Sequence, residues 1–387
     1  MVAAVESVVL DESDLKAYGA LSNANRCPRG FRKVSVLGKG GCAIVWLCQS
    51  IDDPKIQVAA KQFPKSSVFI DSGRDELRQN LQMFDANGDP VVRDHRGSQH
   101  ICQLVGHQED KMDLWLLFTA CPGRPLSKLL CQTQGGFVHG ERIYDAIQNE
   151  ETYGVLQARN CRQLKLIIKM LLEALDFIHE CGVVHCDFKP ENIIVDLDAA
   201  TQTVSSLKVI DFGSSFDFQD INLKLDITTP EYLPPEVLEH NQDLKSNMGN
   251  LRNLLEYVSP WSIDIWSLGI ILLECVLSYP IWMAYKGRII RPCSAKTERV
   301  ESAIVTGLLG VTGRVPKKII KLQQQHLLGQ NSIANLMARQ QTALCLGSLN
   351  KDSGFQSFIQ SALEGNPKQR TAPHDLLSHA FIGDVAR

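Results

Sequence analysis

The sequence lacks several features that would point to a membrane, a secreted scaffold or a nucleic-acid partner. No apolar run reaches the roughly 18 residues that a membrane-spanning helix needs, and even the stretch 263–282 contains Asp264 and Glu274. The net charge of −3 is too small to favour nucleic acid or an anionic membrane as a general partner. Residues 1–19 have neither the basic start nor the long apolar core of a secretory signal. From these absences we expect an intracellular protein of the cytoplasm, the nucleus or both.

The twelve cysteines form no pattern that predicts disulfides or a metal site. They are scattered through apolar segments, whereas disulfide frameworks belong to short secreted chains with regular cysteine spacing. The tightest group is His179, Cys181, His185 and Cys186, and it lacks the CxxC or HxxxH pairs that are typical of zinc sites. We therefore expect ordinary buried or loop thiols.

Short apolar segments dominate the first third of the chain. Rich in Val, Ile, Leu and aromatic residues, they are separated by glycine, proline or polar turns, which is typical of an antiparallel sheet. The segments are 31–38, 43–50, 57–63, 101–107 and 113–120. One helix-like interruption at 74–84 places Leu77, Leu81 and Phe84 on one face.

From about residue 126 the apolar period becomes helical. The segment 161–182 has leucines and isoleucines at helical intervals and stops at Gly182. Two short strands follow at 192–196 and 207–211, and the rest is mostly helical. The predicted fold class is α+β, with a small antiparallel sheet lobe and a larger, mainly helical lobe joined near 121–125. The predicted division is an N-terminal arm at 1–30, a small lobe at 31–120, a large lobe at 121–382 and a tail at 383–387.

Glycines in "LGKGGCAIVW", residues 37–46, would let backbone amides approach phosphate groups closely. A dinucleotide-binding unit would need these glycines to open a helix, but the residues that follow are strand-like. Because Ala43 stands where a third glycine would, a plain tight hairpin stays open on this motif alone. Lys61 ends the next apolar strand, and it either reaches the surface or is paired inside a site.

The loop "HCDFKPEN" supplies Asp187, Lys189 and Asn192, and "VIDFGSS" supplies Asp211 at a strand end. Asp211 and Asn192 offer the oxygen ligands that Mg²⁺ prefers. Lys61 can hold phosphates, Asp187 can accept the proton of an attacking hydroxyl, and Lys189 can neutralise charge on the transferred group. Separately, each residue also fits a solvated loop or a turn.

These motifs, in this order over residues 31–382, resemble the protein kinase superfamily. The resemblance implies ATP and Mg²⁺ as cofactors and a protein as substrate, with Asp187 and Lys189 catalytic and Asn192 and Asp211 holding the metal. It further implies a nucleotide site whose residues are Leu37, Gly38, Lys39, Gly40, Gly41, Cys42, Ala43, Val45, Lys61, Glu76, Phe118 and Cys121.

The resemblance extends to architectural residues of the larger lobe. In "TTPEYLPPEV", Thr229 is expected to bridge Asp187 and Lys189. Glu236 is expected to pair with Arg370. Asp264 in "SIDIWSLG" is expected to brace the backbone of the catalytic loop rather than to react.

The segment "KPEN" is similar to that of serine/threonine kinases. "HCD", "DFGSS" and Phe118 are similar to the dual-specificity tyrosine-regulated kinases. Two residues depart from that subfamily, since Asp226 stands where it has an activation-loop tyrosine and Leu233 where it has an arginine. A preference for proline after the target residue, and self-activation by tyrosine phosphorylation at that position, are therefore not expected.

Glu76 is the expected partner of Lys61 on the small-lobe helix, although the helix pattern would also fit an acid at the position of Leu77, and Asp75 is the alternative. The segments 85–99, 132–160 and 240–261 match no counterpart in the family. Between residues 286 and 321 there are nine basic and two acidic residues, which fits either an acidic partner or, more commonly, a solvated face.

Three functional classes suit such a chain: an active ATP-dependent serine/threonine kinase, a pseudokinase that binds nucleotide or serves as a scaffold, and a kinase of small molecules. Loss of Lys61, Asp187, Asn192 or Asp211 would favour the pseudokinase, and none is lost. The segment "TPEYLPPE" is a peptide-substrate feature and favours a protein kinase. In many members an arginine at position 186 pairs with an activation-loop phosphate, and since Cys186 cannot do so we expect activity that is independent of that phosphate.

Overall fold

The computed structural model of the chain describes residues 26–39, 43–66, 70–85, 87–138, 141–220, 229–245, 251–282, 287–290, 299–301, 315–329, 333, 335, 349 and 352–383. Strands dominate up to residue 120 and helices dominate beyond residue 150. The two-lobed α+β fold expected from the sequence is confirmed.

The small lobe is built on a five-stranded antiparallel sheet of order β1-β2-β3-β5-β4. Its strands are β1 Phe31–Lys39, β2 Ile44–Ser50, β3 Gln57–Pro64, β4 Leu104–Glu109 and β5 Asp113–Thr119. Buried and partly exposed residues alternate along β3, because successive side chains of a strand point to opposite faces. One face of the sheet packs against helix α1, Ile70–Met83, which follows β3 and precedes β4 in the sequence.

The buried face of α1 differs from the one expected. Of the three apolar residues expected on the inner face, Leu81 is exposed, whereas Leu77 packs against the apolar cluster of the small lobe and Phe84 is buried. Phe84 lies just beyond the end of the helix and forms an isolated bridge with Pro90. The buried residues are Gly73, Glu76, Gln79, Asn80 and Met83. Three of these side chains are polar, so an apolar periodicity could not identify the face that lies inward.

The lobes are joined by the segment that leads from β5 to the short strand β6, Arg124–Pro125. β6 pairs with a strand of the large lobe, β10 Ile193–Leu197. Gly123 in this segment has φ 102°, and a Cβ atom there would lie 2.3 Å from the carbonyl oxygen of Val195. Glycine is therefore required for both conformation and space. β10 also pairs with β11, Val204–Val209, as the two short strands of the sequence predicted.

The large lobe packs around two long helices, α3 Glu150–Glu180 and α6 Ser262–Leu277. α3 begins earlier than its apolar pattern indicated, because Asn149 caps it by accepting a hydrogen bond from the amide of Thr152. Every residue of α6 is buried. The remaining helices are α2 Leu126–Leu130, α4 Pro235–Lys245, α5 Leu251–Tyr257, α7 Val315–His326, α8 Ser353–Ala362, α9 Pro373–Leu377 and α10 Ala380–Gly383.

A second sheet lies where the sequence indicated only an unmatched insert and helices. Its order is β14-β13-β8-β7, and β13 runs parallel to β8. The strands are β7 Cys131–Val138, β8 Glu141–Gln148, β13 Gly287–Ile290 and β14 Arg299–Glu301. The insert at 132–160 therefore supplies a hairpin and the first turns of α3, and the basic segment 286–321 supplies the other two strands.

A short antiparallel pair of strands borders the loop between α3 and β10. β9, Val183–Val184, pairs with β12, Phe216–Asp217, so the residues that follow β9 and those that precede β12 lie side by side. Among the described residues, none of the helices is long and apolar enough to cross a bilayer.

Candidate active site

Lys61 on β3 lies between two carboxylates from different parts of the chain. Its Nζ atom is 2.7 Å from Oε2 of Glu76 on α1 and 2.7 Å from Oδ1 of Asp211, which follows β11. Of the two acids considered for α1, Glu76 makes this contact, whereas Asp75 pairs with Arg78 on the surface. The three charges connect the sheet, the helix and the large lobe.

Burial and mutual attraction determine the protonation of this group. Burial acts against the charge of Lys61, but Glu76 and Asp211 outweigh it and raise the pKa of the ammonium. Burial raises the pKa of Glu76 to about 7 despite the neighbouring Lys61. For Asp211, burial is outweighed by Lys61, which lowers the pKa of this carboxyl to about 2. One ammonium thus serves two carboxylates, and Asp211 is the one that firmly keeps its charge.

Gly213 borders the same group and has no counterpart among the residues singled out in the sequence. A Cβ atom at this position would lie 3.2 Å from Oδ1 of Asp211 and 3.3 Å from Oε2 of Glu76. Both contacts are tight, so any larger residue would push on the two carboxylates. The "DFG" context would have been the signal for it.

Asp187 lies at the centre of a second polar cluster. Its Oδ2 atom is 2.7 Å from Nζ of Lys189, and its Oδ1 atom accepts a hydrogen bond of 2.7 Å from the hydroxyl of Thr229. Lys189 also donates to that hydroxyl at 2.8 Å, which confirms the bridge expected at Thr229. The side-chain nitrogen Nδ2 of Asn192 donates to the backbone oxygen of Asp187 at 2.9 Å.

The backbone before Asp187 is held by Asp264 on α6. The amides of His185 and Cys186 donate to its two carboxylate oxygens, each at 2.9 Å, and Nε2 of His179 lies 2.9 Å from Oδ2. Burial of Asp264 is outweighed by the hydrogen bond from His179, so its pKa is lowered. The bracing role expected of Asp264 is confirmed. Cys186 is held at φ 62° in this arrangement.

Glu236 and Arg370 form the architectural ion pair that the sequence predicted. The distance from Nη1 of Arg370 to Oε1 of Glu236 is 2.8 Å, and the arginine side chain is fully buried. Arg370 also donates to the backbone oxygens of Ser262 and Glu364. This pair therefore connects the start of α4, the start of α6 and the loop after α8.

The family to which a chain with these two polar clusters belongs follows from its similarity to known protein domains. A family profile described as "Protein kinase domain" matches residues 31–382. The chain belongs to the protein kinase family. The match covers both lobes and every residue of the two polar clusters described above.

Curated relatives agree with this family at low identity. Calcium-dependent protein kinase 19 of Arabidopsis thaliana is 26% identical over 249 residues, which are 64% of this chain and 36% of the relative. Mitogen-activated protein kinase kinase kinase A of Dictyostelium discoideum is 23% identical over 354 residues, 91% of this chain and 28% of the relative. Dual specificity tyrosine-phosphorylation-regulated kinase 2 of Drosophila melanogaster is 28% identical over 253 residues, 62% of this chain and 29% of the relative. The kinase chain thus spans roughly a third of the length of these relatives.

The other described residues of the expected nucleotide site lie on, or next to, strands of the sheet that carries Lys61. Leu37, Gly38 and Lys39 are at the end of β1, and Val45 pairs directly with both Gly38 and Lys61. Ala43, Phe118 and Cys121 share one apolar cluster beneath the sheet. Gly40, Gly41 and Cys42 lie outside the described residues, as does Asp226 of the activation segment. Leu233 is buried.

The donor set of this kinase fits ATP and Mg²⁺. The carboxylate of Asp211 is ionised and its side chain is 43% exposed. The side-chain nitrogen of Asn192, Nδ2, donates to Asp187, so the side-chain oxygen of Asn192 is the atom that can bind a cation. A hard cation prefers this kind of oxygen. A Cβ atom at Gly38 would meet no atom of the described residues within 4 Å. In the described part of the chain, no group of three or more His, Cys, Asp or Glu side chains is arranged to hold a metal ion.

His185 has a structural role that its residue type alone did not reveal. It is fully buried, with its ring 4.9 Å from that of Phe212 and its Nε2 atom 3.2 Å from the backbone oxygen of Ile210. The histidine thus packs the Asp187 loop against the residues that carry Asp211. Its position in the sequence, between the buried strand β9 and the candidate catalytic Asp187, could have indicated that its side chain is buried.

Proposed function

We propose that this chain is an ATP- and Mg²⁺-dependent protein serine/threonine kinase that transfers the γ-phosphate of ATP to a hydroxyl of a protein substrate. The observation that carries the proposal is the hydrogen-bonded set of Asp187, Lys189 and Thr229. Asn192 links this set to the group of Lys61, Glu76 and Asp211, because it donates to the backbone oxygen of Asp187 and accepts from the amide of Ile210, the residue before Asp211. A pseudokinase has no need to keep both sets in place.

In this proposal Asp187 accepts the proton of the attacking hydroxyl. Its Oδ1 atom already accepts a hydrogen bond from the hydroxyl of Thr229, so that oxygen is oriented toward a donor of the same chemical type. Lys189 sits 2.7 Å from the other oxygen and supplies positive charge next to the transferred group. Thr229 connects these two residues to the segment that would carry the protein substrate.

Lys61 is proposed to hold the phosphates of the nucleotide, with Glu76 fixing the position of its ammonium. Asp211 and Asn192 would hold the metal ion through oxygen atoms. When bound, Mg²⁺ neutralises charge on the phosphates. Because Asp211 is already ionised and partly exposed, it needs only to exchange Lys61 for a cation.

Specificity for serine and threonine is supported by Lys189, whose contact with Asp187 and Thr229 gives the "KPEN" lysine a direct place beside the reacting group. A curated relative from Drosophila simulans, named as a serine/threonine-protein kinase and 32% identical over 148 residues, also supports it. Phosphoamino-acid analysis of a labelled substrate tests this part alone, and label recovered mainly on tyrosine would contradict it.

A transfer assay tests the proposal as a whole. The purified chain is incubated with γ-labelled ATP, Mg²⁺ and a basic protein substrate, and the expected result is label on the substrate that disappears when EDTA removes the metal. Thermal unfolding with and without ATP–Mg²⁺ is measured in parallel. A nucleotide-dependent rise in melting temperature without any label transfer would replace this proposal by a pseudokinase.

The activity is also proposed to be independent of a phosphate on the activation segment. The side chain at position 186 is a buried thiol rather than a cation, so it cannot pair with a phosphate. The backbone amide of Cys186 is bound to Asp264 and is not available either. Burial raises the pKa of the Cys186 thiol well above its usual value, so the side chain is neutral. Phosphatase treatment should therefore leave the initial rate of transfer largely unchanged. A loss of most of the activity would contradict this part.

A further inference from the structure

Two cysteines meet at the open end of the β4–β5 hairpin. Cys102 lies just before β4 and Cys121 lies just after β5, and an antiparallel pair of strands brings such positions side by side. The two Sγ atoms are 3.2 Å apart. Each is also 3.4 Å from the backbone oxygen of Thr119, which fixes the position of both sulfurs.

The two thiols differ in access and in acidity. Cys102 is buried, whereas Cys121 is half-buried. The hydrogen bond between the two thiols lowers the pKa of the Cys121 thiol, and nearby Lys208 acts in the same direction. The same hydrogen bond, together with burial, raises the pKa of Cys102 well above its usual value. An accessible, more acidic thiol beside a buried one is the arrangement of an attacking and a resolving cysteine.

We propose that Cys102 and Cys121 form a site of reversible oxidation, at which a hydroperoxide converts the two thiols into a disulfide. Their sulfurs need to approach by roughly 1.2 Å, since a disulfide bond is about 2.0 Å long. Both residues lie at the ends of strands of one hairpin, so the movement is confined to a short segment.

The chemistry balances with the hydroperoxide as the only co-reactant. The Cys121 thiolate attacks the terminal peroxide oxygen, the O–O bond breaks, and Cys121 becomes a sulfenic acid while the peroxide leaves as an alcohol or as water. The sulfur of Cys102 then attacks the sulfur of the sulfenic acid, its proton passes to the leaving hydroxyl, and water is released as the S–S bond forms. Two thiols are oxidised by two electrons, and the peroxide is reduced by the same two.

The disulfide would act on the nucleotide site, and this consequence rests on the proposed function. Cys121 lies in the segment that joins the lobes, among the residues expected to contact ATP. The amide of Cys102 donates to the backbone oxygen of Val209 at 2.9 Å, at the end of the strand that leads to Asp211. A bond between the two sulfurs therefore ties the joining segment to the strand that carries the candidate metal ligand, and it should weaken nucleotide binding.

A second thiol pair provides a comparison within the same molecule. Cys27 and Cys48 are hydrogen-bonded to one another, but burial raises the pKa of both, that of Cys48 to about 12. Neither thiol is easily ionised, so this pair should stay reduced at peroxide concentrations that join Cys102 to Cys121.

The test uses the full chain, treated with hydrogen peroxide under native conditions and then alkylated and digested without reductant. Mass spectrometry should find a peptide that links Cys102 to Cys121, lost on treatment with dithiothreitol and absent from Cys102→Ala. The control Cys181→Ala removes another half-buried thiol and should leave the link intact. A link that forms only between Cys27 and Cys48, or no link at any peroxide concentration that leaves the protein folded, would overturn the proposal.

The effect on the site is read separately, as the rise in melting temperature caused by ATP–Mg²⁺. It should fall in the cross-linked protein and return after reduction. An unchanged rise in fully cross-linked protein would overturn the regulatory consequence. If the reduced protein shows no rise at all, the proposed function fails, while the peptide map still decides whether the disulfide forms.

Discussion

Two aspartates of the large lobe, Asp264 and Asp211, use their carboxylates in opposite ways. Asp264 is fully buried, and two backbone amides and His179 occupy both of its oxygens. Asp211 has a side chain that is 43% exposed, and the ammonium it pairs with, that of Lys61, is itself shared with Glu76. A carboxylate with every oxygen bound to fixed donors holds a structure in place. One with an exposed oxygen and an exchangeable partner can take up a ligand.

The largest effect on stability is expected from Asp264→Ala. The substitution leaves the amides of His185 and Cys186 and the ring of His179 without their acceptor in the core. Each buried donor without a partner costs about 1–3 kcal/mol, so the loss of the acceptor for all three should lower the free energy of unfolding by about 3–9 kcal/mol. Urea unfolding followed by circular dichroism measures this.

Asp264→Asn is the matched variant, since it keeps one carbonyl oxygen as an acceptor and should lose clearly less stability. Equal urea midpoints for the wild type and Asp264→Ala would show that the carboxylate does not brace the loop.

A smaller effect, on activity rather than on folding, is expected from Glu76→Gln. At a pH above the value of about 7 to which the pKa of Glu76 is raised, Lys61 would lose one of its two charged acceptors. A hydrogen bond to a charged group contributes about 1.5–3 kcal/mol. We expect kcat/KM for ATP to fall by about tenfold or more. The control is Asp75→Asn, on the adjacent residue, whose surface pair with Arg78 is solvated. Similar losses in the two variants would remove the distinction between the buried and the exposed acid.

The smallest effect is expected in the pH dependence of stability through Asp211. Its pKa in the folded chain is about 2, below the value of about 3.9 for an unfolded chain. The ionised group therefore contributes stability above pH ~4 that is lost as the pH falls from there toward 2. Partial exposure screens this contribution. Urea midpoints between pH 5 and pH 3 should fall more steeply for the wild type than for Asp211→Asn, and parallel curves would contradict the low pKa.

The sequence was sufficient for the parts of the molecule that depend on local pattern. Alternation and turn residues predicted β1, β2, β3 and β5 closely, and β4 three residues too early. The fixed spacing of residues within "HCDFKPEN" and "DFG" was enough to identify the candidate catalytic and metal-binding residues. The start of α3 was also open to prediction, since Asn149 and the acidic residues after it form a common helix start.

Pairings over long distances and buried polar faces could not be predicted. The second sheet joins β8 to β13 in parallel, and no local pattern shows that two such distant segments meet. Helix α1 buries Glu76, Gln79 and Asn80, which an apolar period assigns to solvent. The choice between Glu76 and Asp75 depended on which acid faces Lys61, and that is a property of packing rather than of spacing.

The account depends most on Asp187 as the group that receives the substrate proton, and one measurement tests this directly. The rate of label transfer by Asp187→Asn is compared with that of the wild type at saturating ATP–Mg²⁺, with melting temperatures recorded in both states. We predict a loss of about 10²–10⁴-fold in turnover, because general bases contribute that much, with an unchanged nucleotide-dependent rise in melting temperature. Turnover within a few-fold of the wild type would contradict the account.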